Sequence, residues 1–134
     1  MKTILIILTS IVIIYAVYRV YRHVKLDNGL EKKIANGAII LDVRTKTEFD
    51  GGHILDAVNI PLSHLRKDPL PFNKNQEIIT CCSHGLRSVK AVGLLKERGY
   101  NHVYNGGVWT ELNKLVLTIK TAKPFKSQNN RNTY

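Results

Sequence analysis

Cysteine is scarce in this chain: two of 134 residues, and the two are adjacent, Cys81 and Cys82. Neighbouring cysteines cannot close a loop, which excludes a small fold stapled by structural disulfides and leaves thiol chemistry or inert burial. No Cys and His stand at ligand spacing, so no metal site is expected. No repeat recurs at solenoid spacing, and 44% hydrophobic with 22% charged residues sets aside disordered and collagen-like classes. Acidic residues are few, 10 against 20 Lys and Arg, and none follows Glu111. Beyond it stand Lys114, Lys120, Lys123, Lys126 and Arg131, but with few aromatic residues for stacking and no nucleic-acid motif, so nucleic acid is not an expected partner. Anionic lipid headgroups and plain solvation both suit that tail.

One stretch is strongly apolar. Residues 4–18 are Ile, Leu, Val, Tyr and Ala interrupted only by Thr9 and Ser10, about 15 positions against the ~20 that span hydrocarbon. Continuing to Val24 reaches spanning length, because Arg19 and Arg22 can extend their charged ends to headgroups while Tyr15, Tyr18 and Tyr21 suit the interface. Ala16 has bulky neighbours, so no small-x-small cleavage site follows the apolar stretch. The expectation is an uncleaved single-pass anchor inserted through residues 3–24. Only Lys2 and the amino terminus precede it, whereas Arg19, Arg22 and Lys25 follow, which places the remainder of the chain in the cytoplasm.

From Asp27 onward short apolar runs alternate with helical patterns, the signature of a mostly parallel sheet flanked by helices. Asp27 or Asn28 can cap a short helix to about Ala35, which Gly37 stops. Strands are predicted over residues 38–41, 58–60, 78–81 and 103–104, the last preceding Gly106 and Gly107. Helices are predicted over residues 87–98, ending at Gly99, and from after the glycine pair to about Leu117. The organisation is therefore an anchor with its basic flank (1–25), one α/β domain (26–118) and a basic tail (119–134). Ligands of such sheets bind beyond the carboxyl ends of the strands, where Asp42-Val43-Arg44 and residues 82–88 lie.

Cys82-Ser83-His84-Gly85-Leu86-Arg87-Ser88 joins a buried strand to a helix, so its amides can curl into an anion-binding nest at a helix N-terminus. The same amides stabilise a thiolate on Cys82, the reactive form. Gly85 relieves the tight curl and Arg87 contributes a positive charge.

Leu41-Asp42-Val43-Arg44, Glu48-Phe49, Gly52-His53-Ile54, Asn59-Ile60-Pro61, Cys82-x-x-Gly85-x-Arg87-Ser88 and Gly106-Gly107, in that order, resemble the rhodanese family. The resemblance implies the rhodanese-like α/β fold and a single-domain sulfurtransferase. Cys82 would attack the outer sulfur of thiosulfate or a similar small anionic donor, become a persulfide, and pass the sulfur to cyanide or a thiol, the cysteine itself being the carrier. No metal or organic cofactor is implied, and a thiol or thioredoxin-like protein would serve as acceptor. Residues Ser83, His84, Gly85, Leu86, Arg87 and Ser88 would hold the persulfide and the departing sulfite, with Asp42 and Arg44 in support. Two departures stand out: Asp56 occupies a position where the family often has glycine, and Trp109 follows the glycine pair more closely than usual.

Several roles stay open at this level. Arg87 either contacts substrate or pairs with Asp42 to brace the loop, and Arg44 with Glu48 is expected as an ion pair. His84 either touches substrate or faces solvent. His53 is read as a hydrogen-bonded architectural group, Trp109 as packing, and Cys81 as core filler at a strand end with a redox role as the alternative. A cysteine-dependent phosphatase is the nearest rival; its longer signature loop, five residues between cysteine and arginine, would make Cys81 the nucleophile. The other rival is a non-enzymatic binding module on the same fold.

Overall fold

The computed structural model describes residues 1–24 and 28–122 of the chain. Helix α1 (Lys2–Val24) is apolar, and over Lys2–Tyr21 it is long and apolar enough to cross a membrane, with none of that length buried. A signal sequence near an amino terminus shares that length and composition. Its two polar interruptions are satisfied within the helix, since the hydroxyls of Thr9 and Ser10 both donate to the Ile6 carbonyl.

Helix α2 (Leu30–Ala35) starts at Gly29, whose φ of 75° lies in the left-handed region, with no side-chain cap. Asn28 therefore does not serve as the expected N-cap; Asp27 lies outside the described residues. Gly37, at φ 91°, gives its N–H to Ile34 and ends the helix as anticipated.

Four strands follow, β1 (Ile39–Asp42), β2 (Val58–Asn59), β3 (Ile78–Cys82) and β4 (Val103–Val108), all paired in parallel in the order β2-β1-β3-β4. The expected α/β architecture is present, with shifted strand boundaries, β2 ending one residue early at Asn59. β1 begins at Ile39 rather than Ala38 and takes in Asp42; β3 continues one residue further, to Cys82. β4 runs through the glycine pair to Val108 instead of stopping before it, because Gly106 lets the strand press against β3. A Cβ there would stand 2.7 Å from Ile79 Cγ2 and 2.8 Å from the Thr80 carbonyl oxygen.

Strand periodicity sorts the core into two layers. Leu41, Val43, Ile78, Cys82 and Val103 face helix α4 (Leu86–Glu97), packing with Ala91, Leu94 and Leu95. Ile40, Ile79 and Cys81 face α2 and helix α5 (Trp109–Ala122), packing with Leu30, Leu112 and Val116. Each fully buried Leu or Ile contributes roughly 1.5–3 kcal/mol to the fold.

Helix α5 continues past residue 118 to Ala122, and its Lys120 pairs with Asp56 at 3.0 Å. Asp56 itself has φ 67°, the only non-glycine in the left-handed region among the described residues. That conformation explains a position where glycine is common, and aspartate is among the few other residues that tolerate it. The basic residues beyond Ala122 lie outside the described residues.

One short helix was not anticipated. Thr45 caps α3 (Lys46–Asp50) in a reciprocal box with Glu48, the hydroxyl accepting from the Glu48 N–H and the carboxylate accepting from the Thr45 N–H. The Thr-x-x-Glu spacing was the signal for it.

Candidate active site

Cys82 closes β3 and is almost completely buried, its side chain on the α4 side of the sheet. The chain then turns through Ser83 and His84 to Gly85, which adopts φ 88° as the N-cap of α4 and donates its N–H to Cys82 Sγ at 3.0 Å. The first α-helical hydrogen bond runs from Val89 N–H to the Gly85 carbonyl. Ladder geometry therefore leaves the amides of Leu86, Arg87 and Ser88 without helical acceptors at the positive end of a 12-residue helix. The Cys82 sulfur stands beside that end.

The loop is fastened from beneath. Ser88 is fully buried; its hydroxyl lies 2.7 Å from the Gly85 carbonyl oxygen and 2.8 Å from Asn105 Oδ1, which also accepts from Gly107 N–H. Thr80 Oγ1 donates to the Ser88 carbonyl. The Ser88 side chain thus braces the loop from the core, and it is the main-chain N–H of Ser88, not the hydroxyl, that is left for a ligand. Asn105 and Thr80 share this work, and nothing in their residue types or spacing marks them for it.

The ion pairs are partnered differently from the sequence-based expectation. Arg44 is buried on Asp42, with Nη2 2.6 Å from Oδ2 and Nε 3.0 and 2.9 Å from the two carboxylate oxygens; it also donates to the carbonyls of Glu48 and Gly52. Its guanidinium lies over the Trp109 ring, 4.5 Å from the centroid. Arg87 instead forms a two-pronged pair with Glu48, Nη1 to Oε2 at 2.8 Å and Nη2 to Oε1 at 2.7 Å. Neither Arg87–Asp42 nor Arg44–Glu48 is the side-chain pair. Asp42 is fully enclosed at the end of β1, where only a side chain from the adjacent turn reaches it, while the capping box turns Glu48 toward the loop.

Ser83 completes a ring at the loop's edge: its hydroxyl donates to Glu48 Oε1 at 3.0 Å and accepts from Arg87 Nη2 at 3.1 Å. The guanidinium of Arg87, followed by the Thr45 amide and hydroxyl, holds the Glu48 carboxyl well below the usual carboxylate range, and Glu48 in turn raises Arg87. Glu48 is the residue whose place at the site the sequence-based reading missed. His84 and Leu86 are exposed on the loop.

Cys81 is completely buried in the opposite layer. Burial, reinforced by the negative charge of Asp42, pushes its thiol far up, so it is held in the unreactive form. His53 donates from Nδ1 to the Phe49 carbonyl, 2.8 Å away, and stacks on the Phe49 ring, the architectural role expected of it. A cleft of about 490 Å³ elsewhere in the fold is lined by Ile34, Ile39, Val58, Phe72 and Val116 among others, with no cysteine.

Residues 26–109 match the family described as the Rhodanese-like domain. The Bacillus subtilis protein YqhL is 32% identical over 105 residues, covering 76% of this chain and 83% of that protein. The tRNA uridine(34) hydroxylase of Buchnera aphidicola is 33% identical over 91 residues, and there the chain spans only 28% of the relative's length. Among solved structures, a human single-domain sulfurtransferase superposes with a TM-score of 0.56 at 28% identity, covering 63% of this chain and 89% of that one.

Proposed function

The chain belongs to the rhodanese-like sulfurtransferase family, and on that premise we propose that it is a membrane-anchored enzyme that carries a sulfane sulfur on Cys82. The observation that carries the reading is the Gly85 N–H pointing at Cys82 Sγ from the amino end of α4. Cys82 thiolate attacks the outer sulfur of thiosulfate or a similar donor; the new S–S bond forms as the donor's S–S bond breaks, and sulfite leaves with the bonding pair. The resulting persulfide, held by the amides of residues 83–88, is then attacked at its outer sulfur by cyanide or a thiol, which returns the Cys82 thiolate. A thiol or thioredoxin-like protein is the acceptor class this chemistry requires. No metal or organic cofactor has a part in it.

Buried Cys81 counts against the phosphatase alternative, which needs that residue as nucleophile. Its side chain and that of Cys82 also project to opposite faces of β3, which disfavours a redox pair. The exposed apolar helix α1 and the basic residues after it support an anchor with the catalytic domain in the cytoplasm.

Mass spectrometry after thiosulfate treatment tests the chemistry: one added sulfur is expected on Cys82, and none in Cys82→Ser. Modification of Cys81 instead, or wild-type turnover by Cys82→Ser, would reject the assignment. For the anchor, protease applied to intact cells should spare the domain; digestion with the membrane sealed would reverse the orientation.

A further inference from the structure

Every guanidinium placed at the site is already matched by a carboxylate. Arg44 is buried against Asp42, and both terminal nitrogens of Arg87 are engaged by Glu48, with Ser83 closing the ring. The formal charges of these four side chains cancel, so the helix-end amides remain as the groups that can favour an anion, and one of the loop amides, Gly85, is directed at Cys82 itself. A doubly charged donor such as thiosulfate then meets the Cys82 thiolate without an unpaired guanidinium among the described residues of the site to offset their repulsion.

We infer that Glu48 is a specificity-determining residue that, by neutralising Arg87, turns the site toward a sulfane sulfur carried on a thiol, R–S–S–H, and away from dianionic donors. The inference rests on the sulfurtransferase reading. In the favoured step Cys82–S⁻ attacks the terminal sulfur of R–S–S–H, the donor's S–S bond breaks, and R–S⁻ departs with the electron pair, leaving Cys82–S–S–H. Atoms and charge balance without an external oxidant or reductant.

Glu48→Gln isolates the charge, because glutamine at this position still serves the capping box with Thr45. The full chain in detergent is assayed with thiosulfate and with the persulfide of 2-mercaptoethanol, whose single ionisable group limits it to one negative charge. The wild type should prefer the persulfide, and its thiosulfate rate should hold or rise, not fall, as added salt screens the repulsion. In Glu48→Gln the ratio of kcat/KM for thiosulfate over persulfide should rise about ten-fold, with the thiosulfate rate now falling as salt screens the freed guanidinium. Adding Arg87→Gln to that variant should cancel the gain.

A ratio unchanged in Glu48→Gln, or a gain that survives loss of Arg87, overturns the inference while leaving the sulfur-carrier reading intact. A wild-type thiosulfate rate that falls steeply with added salt overturns it as well, without recourse to any variant. If neither donor places sulfur on wild-type Cys82, the sulfurtransferase reading itself fails.

Discussion

Replacing Arg44 by methionine isolates the buried ion pair that anchors the end of β1. Methionine keeps much of the apolar stem but removes donors to both Asp42 oxygens and to the Glu48 and Gly52 carbonyls. Asp42 is fully buried, and in the variant its carboxylate keeps the main-chain N–H of residue 44, 3.0 Å away, as its neighbouring donor. Removing one member of such a pair costs about 3–5 kcal/mol, because a charge is left inside the protein without its partner. For a domain of this size that corresponds to a fall in Tm of roughly 12–30 °C. Thermal unfolding followed by circular dichroism, with α1 held in detergent, measures it. The companion variant Asp42→Asn/Arg44→Met removes the orphaned charge and should recover about half of the loss. A cost for Arg44→Met below about 1 kcal/mol, or a double variant no more stable than the single one, would refute the assignment of the stability to this pair.

Cys81→Ser should retain most sulfur transfer in a steady-state assay, with a modest loss of stability from placing a hydroxyl in the α5-facing core. Gly106→Ala should destabilise by about 1–3 kcal/mol in urea unfolding, since the new Cβ meets a carbonyl oxygen as well as side chains and the backbone must move. Acid should separate wild type from Glu48→Gln: with the Glu48 carboxyl held below its usual range chiefly by Arg87, its contribution is present above the unfolded value of about 4.3 and is lost as pH falls below it. The wild-type unfolding midpoint should therefore drop more steeply below about pH 4 than that of the variant; parallel curves would contradict the pairing.

The ordered residues of β1, the Cys82 loop and the glycine pair were enough to indicate an α/β sheet and the places of its strands, and to put Cys82 forward as the nucleophile. Apolar runs separated by Gly and Pro are local signals, and so are the capping residues of the short helices, the Thr45–Glu48 box among them. Partner choice was not local. Arg44 and Glu48, four residues apart, look like a pair on a helix, yet Arg44 turns back to Asp42 and Glu48 reaches Arg87, 39 residues away. Which carboxylate each arginine meets depends on how α3 is set against the loop after β3, and that is decided by the packing of β1 beside β3. The same packing separates the two cysteines. Adjacent in the chain, they fall on opposite faces of one strand, and only the tertiary structure assigns one face to a closed apolar layer and the other to the amino end of a helix.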